Sequence, residues 1–195
     1  MKKVLMTLAA VVALGMGANA QTGDVKFGFK GGYNLANFGG DVENNKALSG
    51  FHLGGFVEIP VTEKFSVQPE ILYSAQGAKS EYSETYMGYT FNYKSEFKFD
   101  YINIPVMAKY YVMDKLAVMA GPQFGFLVKA DANGQDVKDE VKKFDFGVGV
   151  GANYYFTENI FAGARYNFGL SNISDEGDDY KIKNNVLQVS VGYRF

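Results

Sequence analysis

The sequence predicts an all-β fold, an eight-stranded antiparallel transmembrane β-barrel with short periplasmic turns and long extracellular loops. The clearest observation is the C-terminal alternation, in which Leu187, Val189, Val191, Tyr193 and Phe195 are separated by polar or small residues. An apolar row with a period of two that ends at the last residue is typical of a strand facing lipid on one side. Val191, Tyr193 and Phe195 are therefore interpreted as a C-terminal barrel signature, by which barrel-assembly machinery would bind this strand.

Seven further segments share this alternation and support the same fold. Counting the C-terminal one, they cover residues 26–36, 50–59, 65–76, 102–110, 116–128, 144–156, 160–170 and 187–195. Each presents apolar residues on one face and polar residues or glycines on the other, as strands between lipid and a polar lumen require.

The connections between these segments are alternately short and long. Residues 61–64, 113–115 and 157–159 form tight turns, whereas 37–49, 78–96, 129–143 and 171–185 are long and polar. Outer-membrane barrels have short periplasmic turns and longer extracellular loops. An even number of strands then places both termini in the periplasm.

The N-terminus has the features of a secretory signal peptide. Lys2 and Lys3 precede an apolar stretch over 4–18, and Ala18-Asn19-Ala20 fits an A-x-A cleavage site. We therefore expect a signal peptide at 1–20 and an outer-membrane β-barrel domain at 21–195.

Charge and composition exclude several functional classes. Loss of Lys2 and Lys3 changes the formal net charge from −2 to −4, which argues against nucleic acid as a partner. The chain has no cysteine, so disulfides and thiol chemistry are excluded. Beyond the signal, no apolar run approaches the roughly 20 residues of a membrane helix.

The inward-facing row is polar and rich in glycine. An eight-stranded barrel is only wide enough for side chains to fill it, and glycines on one wall would leave room for long charged side chains from the opposite wall. We predict a plugged polar lumen rather than an open pore, although the same charges could line a narrow ion path. The predicted lumen network comprises Lys30, Glu58, Glu70, Lys109, Asp145, Arg165 and Arg194.

Two irregularities predict β-bulges. Pro69, Pro105 and Pro122 lie inside strand segments although proline cannot donate to a ladder. In addition, apolar residues occupy odd positions over 91–101 but even positions from Ile102 onward. Because a period of two changes phase only when a residue is inserted, we expect a bulge near 100–102 and a hairpin that projects above the bilayer.

Four short motifs resemble the Bacteroidetes-type outer-membrane barrels called PorT-like. They are IPVMAKY at 104–110, GPQFGFL at 121–127, FGVGVG at 146–151 and RYNFGL at 165–170. The architecture is also similar to the OmpX and OmpA class of eight-stranded barrels. The resemblance implies an outer-membrane location; one branch of the family serves protein secretion and gliding, and no catalytic residues are implied.

Three local features suggest specific activities. His52, the single histidine, could act in catalysis with Ser49 or Glu58 nearby in sequence, or could simply be hydrogen-bonded in the lumen. The Tyr- and Ser-rich loop at 78–96 could bind a surface protein by strand addition. An acidic cluster in the last long loop could hold Ca²⁺ but lacks the EF-hand spacing; it comprises Asp175, Glu176, Asp178 and Asp179.

Together these features predict a non-enzymatic outer-membrane protein that contacts membrane lipid and uses its loops for interaction or envelope structure. No catalytic, cofactor or metal site is assigned. A small ion or solute channel and a component supporting secretion are the alternatives, and a soluble lipocalin-like binder is the alternative fold.

Overall fold

The computed structural model describes residues 23–195 except 43–44, 87–88 and 176–179. The predicted signal peptide at 1–20 lies outside these residues. Within them the chain forms nine strands: β1 (Lys26–Gly40), β2 (Asn45–Pro60), β3 (Phe65–Tyr86), β4 (Tyr89–Met113), β5 (Leu116–Ala132), β6 (Gln135–Asp136), β7 (Phe144–Tyr155), β8 (Ile160–Gly169) and β9 (Ile182–Arg194). The described part contains no helix that is long and apolar enough to cross a membrane.

Eight of these described strands close into a ring. Their order is β1-β2-β3-β4-β5-β7-β8-β9, every pairing is antiparallel, and β9 pairs with β1 from Ile182↔Gly40 to Arg194↔Gly28. The two-residue β6 pairs only with the end of β5. The predicted fold class is confirmed.

The two faces of the ring have opposite polarity over most of its height. Outward-facing Phe29, Leu53 and Val191 have 53%, 60% and 67% of their surface exposed. Inward-facing polar side chains are buried, and Glu70 and Lys109 have only 2% and 0% exposed. Apolar outside and polar inside is the arrangement that the alternation predicts for a ring in lipid.

The prediction of bulges at the three prolines is wrong. The β3–β4 register runs unchanged from Pro69↔Val106 to Leu72↔Asn103, past Pro105, and the β4–β5 register runs unchanged from Pro105↔Gln123 to Ala108↔Ala120, past Pro122. Each proline instead lies in a two-residue gap of one ladder. Because proline has no backbone N–H, the strand pairing is lost locally at each proline, but no residue is inserted and the register continues.

A register shift does occur at the second predicted position, but for a different reason. The β4–β5 pairing shifts between Asp100 and Tyr101, and the unpaired residue is Val128 of β5. β4 itself keeps its phase, because Phe99, Tyr101 and Asn103 are all buried on the inward face. The apolar row of β4 thus changes from the inner to the outer face without any insertion in that strand.

Above this level the inside of the ring is mainly apolar, with Gln76 and Asn184 as a buried, hydrogen-bonded polar pair. One buried cluster fills the long-loop end and comprises Phe38, Ala78, Phe99, Tyr101, Leu127, Ala130 and Ile173. β3 and β4 continue further as the predicted hairpin, and over 81–96 they pair only with each other within the described strands.

Candidate functional site

The centre of the lumen holds a charge cluster around Glu70. Its carboxylate lies 2.7 Å from Lys30 Nζ and accepts two hydrogen bonds from Arg165, at 2.9 Å from Nη1 and 2.6 Å from Nη2. Gln68 Nε2 donates to Glu70 Oε1 at 2.8 Å. Because Glu70 lies on β3 and Arg165 on β8, four places apart in an eight-strand ring, this bidentate pair spans the lumen.

Glycines on the strand beside Arg165 make room for this side chain. A Cβ built on Gly149 would lie 2.6 Å from Asn167 Oδ1 and 3.3 Å from Arg165 Cδ, and one on Gly151 would lie 3.1 Å from Arg165 Cβ. Both glycines are on β7, which pairs directly with β8. The expectation that glycines accommodate charged side chains from the opposite wall is therefore corrected here, since the space is made on the neighbouring strand.

A second cluster lies near the short turns, around Glu58. Glu58 Oε2 lies 2.8 Å from Lys109 Nζ and 3.1 Å from Arg194 Nη1, and Oε1 accepts a hydrogen bond of 2.5 Å from the Tyr111 hydroxyl. Lys109 also donates to the Tyr155 hydroxyl, and the Arg194 guanidinium stands 4.4 Å from the centre of that ring. Cation–π contact and ion pairing together hold both cations in place.

Six of the seven predicted network residues thus meet in two clusters. Asp145 lies apart from them: its Oδ1 accepts a hydrogen bond of 2.6 Å from Ser171 Oγ, and no ion pair involves it in the described part of the chain. Gln68 links the two clusters, because it donates to Glu70 and accepts a bond of 3.0 Å from Lys109. Gln68 lies two residues before Glu70 and so shares its inward face, but it is not among the seven predicted network residues.

Above the Glu70 cluster, His52 lies between a serine and an asparagine. His52 Nε2 is 2.8 Å from Ser190 Oγ, and Nδ1 is 2.7 Å from Asn34 Oδ1. This order has the geometry of a Ser-His-Asp triad, with the neutral amide of Asn34 in the place of the carboxylate. The register explains it, because Gly32 of β1 is paired with His52 on one side and with Ser190 on the other.

This trio was not predicted from the sequence. The candidates near His52 were Ser49 and Glu58, but Ser49 bonds with Tyr33 and Glu58 belongs to the lower cluster. β2 pairs with β1 as the next strand in sequence, but β9 becomes a neighbour of β1 only when the barrel closes. Sequence spacing gave no signal for this contact, because Ser190 is 138 residues from His52 along the chain. The trio is enclosed in the lumen, since His52, Asn34 and Ser190 have 1%, 0% and 7% of their surface exposed.

Of the four acidic residues of the possible Ca²⁺ site in the last long loop, only Asp175 lies among the described residues. Glu176, Asp178 and Asp179 lie outside the described residues, and Asp175 contributes its backbone N–H to Glu140 O at 3.2 Å. Among described residues, no group of three or more potential ligand side chains could hold a metal ion.

Comparison with known proteins agrees with the architecture. Residues 19–175 match the family described as outer membrane protein beta-barrel domain. The chain is similar to Ail, the attachment invasion locus protein of Yersinia pestis, with 17% identity over 89% of this chain and 100% of that one and a TM-score of 0.51. It is also similar to Neisserial surface protein A, with 14% identity, coverages of 86% and 95%, and a TM-score of 0.54. These low identities show the fold alone, and no curated protein sequence matches.

Proposed function

The chain belongs to the outer membrane β-barrel domain family, and from this premise we propose a non-enzymatic, non-conducting barrel whose function lies at its long-loop end. Its location is the outer membrane, with the long loops outside and both termini in the periplasm. Membership of the PorT-like branch, and a role in secretion, remain predictions that rest on the four short motifs.

The observation that carries this proposal is the ion pair across the lumen. Arg165 and Glu70 join opposite sides of the ring, and Lys30 reaches the same carboxylate from a third strand. The Glu58 cluster lies beneath it and draws cations from β4 and β9. An ion entering this lumen would have to break buried pairs in succession, each of which costs several kcal/mol to separate.

Conductance of the refolded mature protein in a planar bilayer tests the proposal. We expect no steady current steps from wild-type protein that shows the heat-modifiable gel mobility of a folded barrel. Discrete current steps that change size in Arg165→Ala, but not in the loop variant Lys138→Ala, would establish a channel through the lumen. This result would contradict the proposal that the lumen is plugged.

The orientation has its own test. Gly134 lies in a turn at the long-loop end with open space around it, whereas Glu63 lies in the turn between β2 and β3. An epitope inserted after Gly134 should bind antibody on intact cells, and one after Glu63 only after lysis. The reverse pattern would place the termini outside.

The non-enzymatic part of the proposal rests on access to Ser190. Only 7% of the surface of Ser190 is exposed, and its hydroxyl lies in the lumen at 2.8 Å from His52 Nε2. A substrate carbonyl must come within bonding distance of a nucleophile. We infer that this trio stabilises the lumen by hydrogen bonding.

The protruding hairpin supports a second role, binding of a surface protein through residues 78–96. Over 81–86 and 89–95 the outer edges of this two-stranded ribbon carry backbone groups that pair with no other described strand, whereas Glu96 bonds with Asn133 through both its N–H and its carbonyl oxygen. Exposed strand edges are templates for strand addition. A photo-crosslinking residue at Tyr93, which is 56% exposed, should capture a surface partner on intact cells, whereas one at Gly134 should not.

A further inference from the structure

The long-loop end of the barrel contains a partly open apolar cavity above the charged lumen. Its volume is about 300 Å³, and Phe38 of β1, Ala78 of β3, Phe97 and Phe99 of β4, and Ile182 of β9 line it. Since β4 and β9 are on opposite sides of the ring, the cavity spans the interior. Protein interiors contain few voids larger than a water molecule, whose share of liquid volume is about 30 Å³, so this space is more than a packing defect.

Two of the loops that line this mouth cavity, β6–β7 and β8–β9, are joined to each other and to β9 by backbone hydrogen bonds. Lys142 N donates to Ile173 O at 2.8 Å, and Ile173 N donates to Ile182 O at 2.9 Å. A β-bridge between Val141 and Ser174 adds a third link. The cavity is thus preformed, which lowers the entropic cost of binding.

The surfaces of the mouth cavity favour an aromatic occupant. Phe38 stacks on Phe99 with ring centres 5.6 Å apart and is tilted against Phe97 at 6.1 Å. Val137 and Val141 add aliphatic surface. Aromatic rings pack against one another with specific offset or tilted geometries, so a flat ring could join this group.

The charges around the mouth cavity favour an uncharged molecule. Lys79 and Glu140 border it with opposite charges, and its other polar residues are neutral: Asn45, Ser80, Ser174 and Tyr180. A few polar groups beside a mostly apolar lining is the usual composition of a small-molecule site, and barrel mouths are among the places where such sites occur.

We propose that the mouth cavity binds a small uncharged aromatic molecule. An apolar cavity of about 150 Å³ holds benzene, so twice that volume corresponds to a ligand of about twelve non-hydrogen atoms. The site lies above both charge clusters, and its occupancy does not depend on whether the lumen conducts.

Methyl NMR of the mature protein in lipid nanodiscs tests this site, with indole as the neutral aromatic probe. Ile173 and Ile182 lie at the cavity, whereas Ile71 and Ile160 face lipid with 45% and 47% of their surface exposed. Indole should shift the Ile173 and Ile182 δ1-methyl signals saturably. Partition of indole into lipid should shift the Ile71 and Ile160 δ1-methyl signals in proportion to the indole concentration. Shifts proportional to concentration at all four isoleucines would overturn the proposal.

A cavity-filling variant separates the site from the bilayer. Ala132 lines the cavity, and Ala132→Phe should weaken indole binding at least tenfold. The matched control is Ala164→Phe, which makes the same change on the lipid-facing side of β8 and should leave binding unchanged.

Val137→Phe is a second filling variant and decides the question if Ala132→Phe does not reach the heat-modifiable folded form. Unchanged indole affinity in a folded filling variant would contradict the proposal. Benzoate of comparable size is the charge control, and a benzoate affinity equal to that of indole would contradict the preference for an uncharged ligand.

Discussion

β4 passes through two environments, and its two faces exchange polarity between them. In the lower half, its outward row is Ile102, Ile104, Val106, Ala108 and Tyr110, and its buried inward row includes Asn103 and Lys109. In the upper half, the outward row is Lys94, Glu96, Lys98 and Asp100, and the inward row is Phe97, Phe99 and Tyr101. The backbone keeps its phase throughout, so the surroundings must change.

From this exchange we infer that the membrane boundary on the long-loop side lies between Asp100 and Ile102. Below it lipid surrounds the ring, and apolar side chains face outward. Above it water surrounds the ring, so apolar side chains are stabilised by facing inward and the hydrophobic effect drives the packing of Phe38, Phe99 and Ile173. Inside the ring, the upper half is therefore held mainly by apolar contacts. The lower half combines the two charge clusters with a smaller buried apolar cluster of Phe56, Ala117, Tyr155 and Phe161.

The largest expected effect is in the lower half, on removal of Arg165. Arg165→Ala would leave Glu70 with Lys30 as its one remaining cation in a buried site. We expect a loss of about 3 kcal/mol in the free energy of unfolding, the lower end of the range for breaking a buried pair, because Lys30 still pairs. Urea unfolding of the refolded barrel in lipid vesicles measures it.

The control for Arg165→Ala is Lys138→Ala. Lys138 is half-buried in the loop between β6 and β7, and its side chain donates one hydrogen bond, of 2.7 Å, to Val128 O. Its replacement should change the unfolding free energy by less than about 0.5 kcal/mol. Equal midpoints for the two variants would show that the lumen pairs do not stabilise the barrel.

A charge placed on the outer face of β4 should distinguish the two halves directly. Ile104→Lys puts an ammonium into lipid and should cost about 2 kcal/mol, since charged residues on a lipid-facing strand cost most near the midplane. Lys98→Ile makes the opposite exchange on the same row above the boundary and should change stability by no more than about 0.5 kcal/mol. Similar costs in the same unfolding assay would show that the membrane surface does not lie at 100–102.

The difference between the two halves of β4 also explains which features of the fold could be predicted from the sequence. The barrel was predictable from the outward apolar rows and from the alternation of loop lengths. Lipid requires an apolar outward face on every strand, so the same pattern recurs along the chain. The odd-to-even change at 101–102 predicts an inserted residue when the alternation is considered alone. In fact the solvent changes there, and the extra residue, Val128, lies in β5.

The lumen network was predictable as a set of residues but not as a set of pairs. Burial on the inner face follows from alternation, whereas the Glu70–Arg165 and His52–Ser190 contacts depend on ring closure and stagger. Pro105 and Pro122 gave a false signal, because a ladder can lose pairing locally while its register continues.

A smaller effect is expected from Phe99→Leu in the upper half. The ring of Phe99 packs on Phe38, and a leucine would keep most of the buried volume but lose the stacking. We expect a local loss of about 1 kcal/mol, as for other near-isosteric core exchanges. Faster amide hydrogen exchange at Ala78 and Leu127, with no change at Asn34 and His52, would show that the mouth opens independently of the lumen.

The smallest expected effect is on the chemical reactivity of Ser190 in the lower half of the barrel. His52 lies 2.8 Å from Ser190 Oγ and 2.7 Å from Asn34 Oδ1, which are hydrogen-bonding distances. The Asn34 amide also donates to Ser74 Oγ and to two backbone oxygens, which indicates a structural role for this side chain. We therefore expect no labelling of the folded protein by a fluorophosphonate probe. Labelling that Ser190→Ala and His52→Asn both abolish would make the lumen a hydrolytic site, because the probe reacts with serine only when a base has activated it.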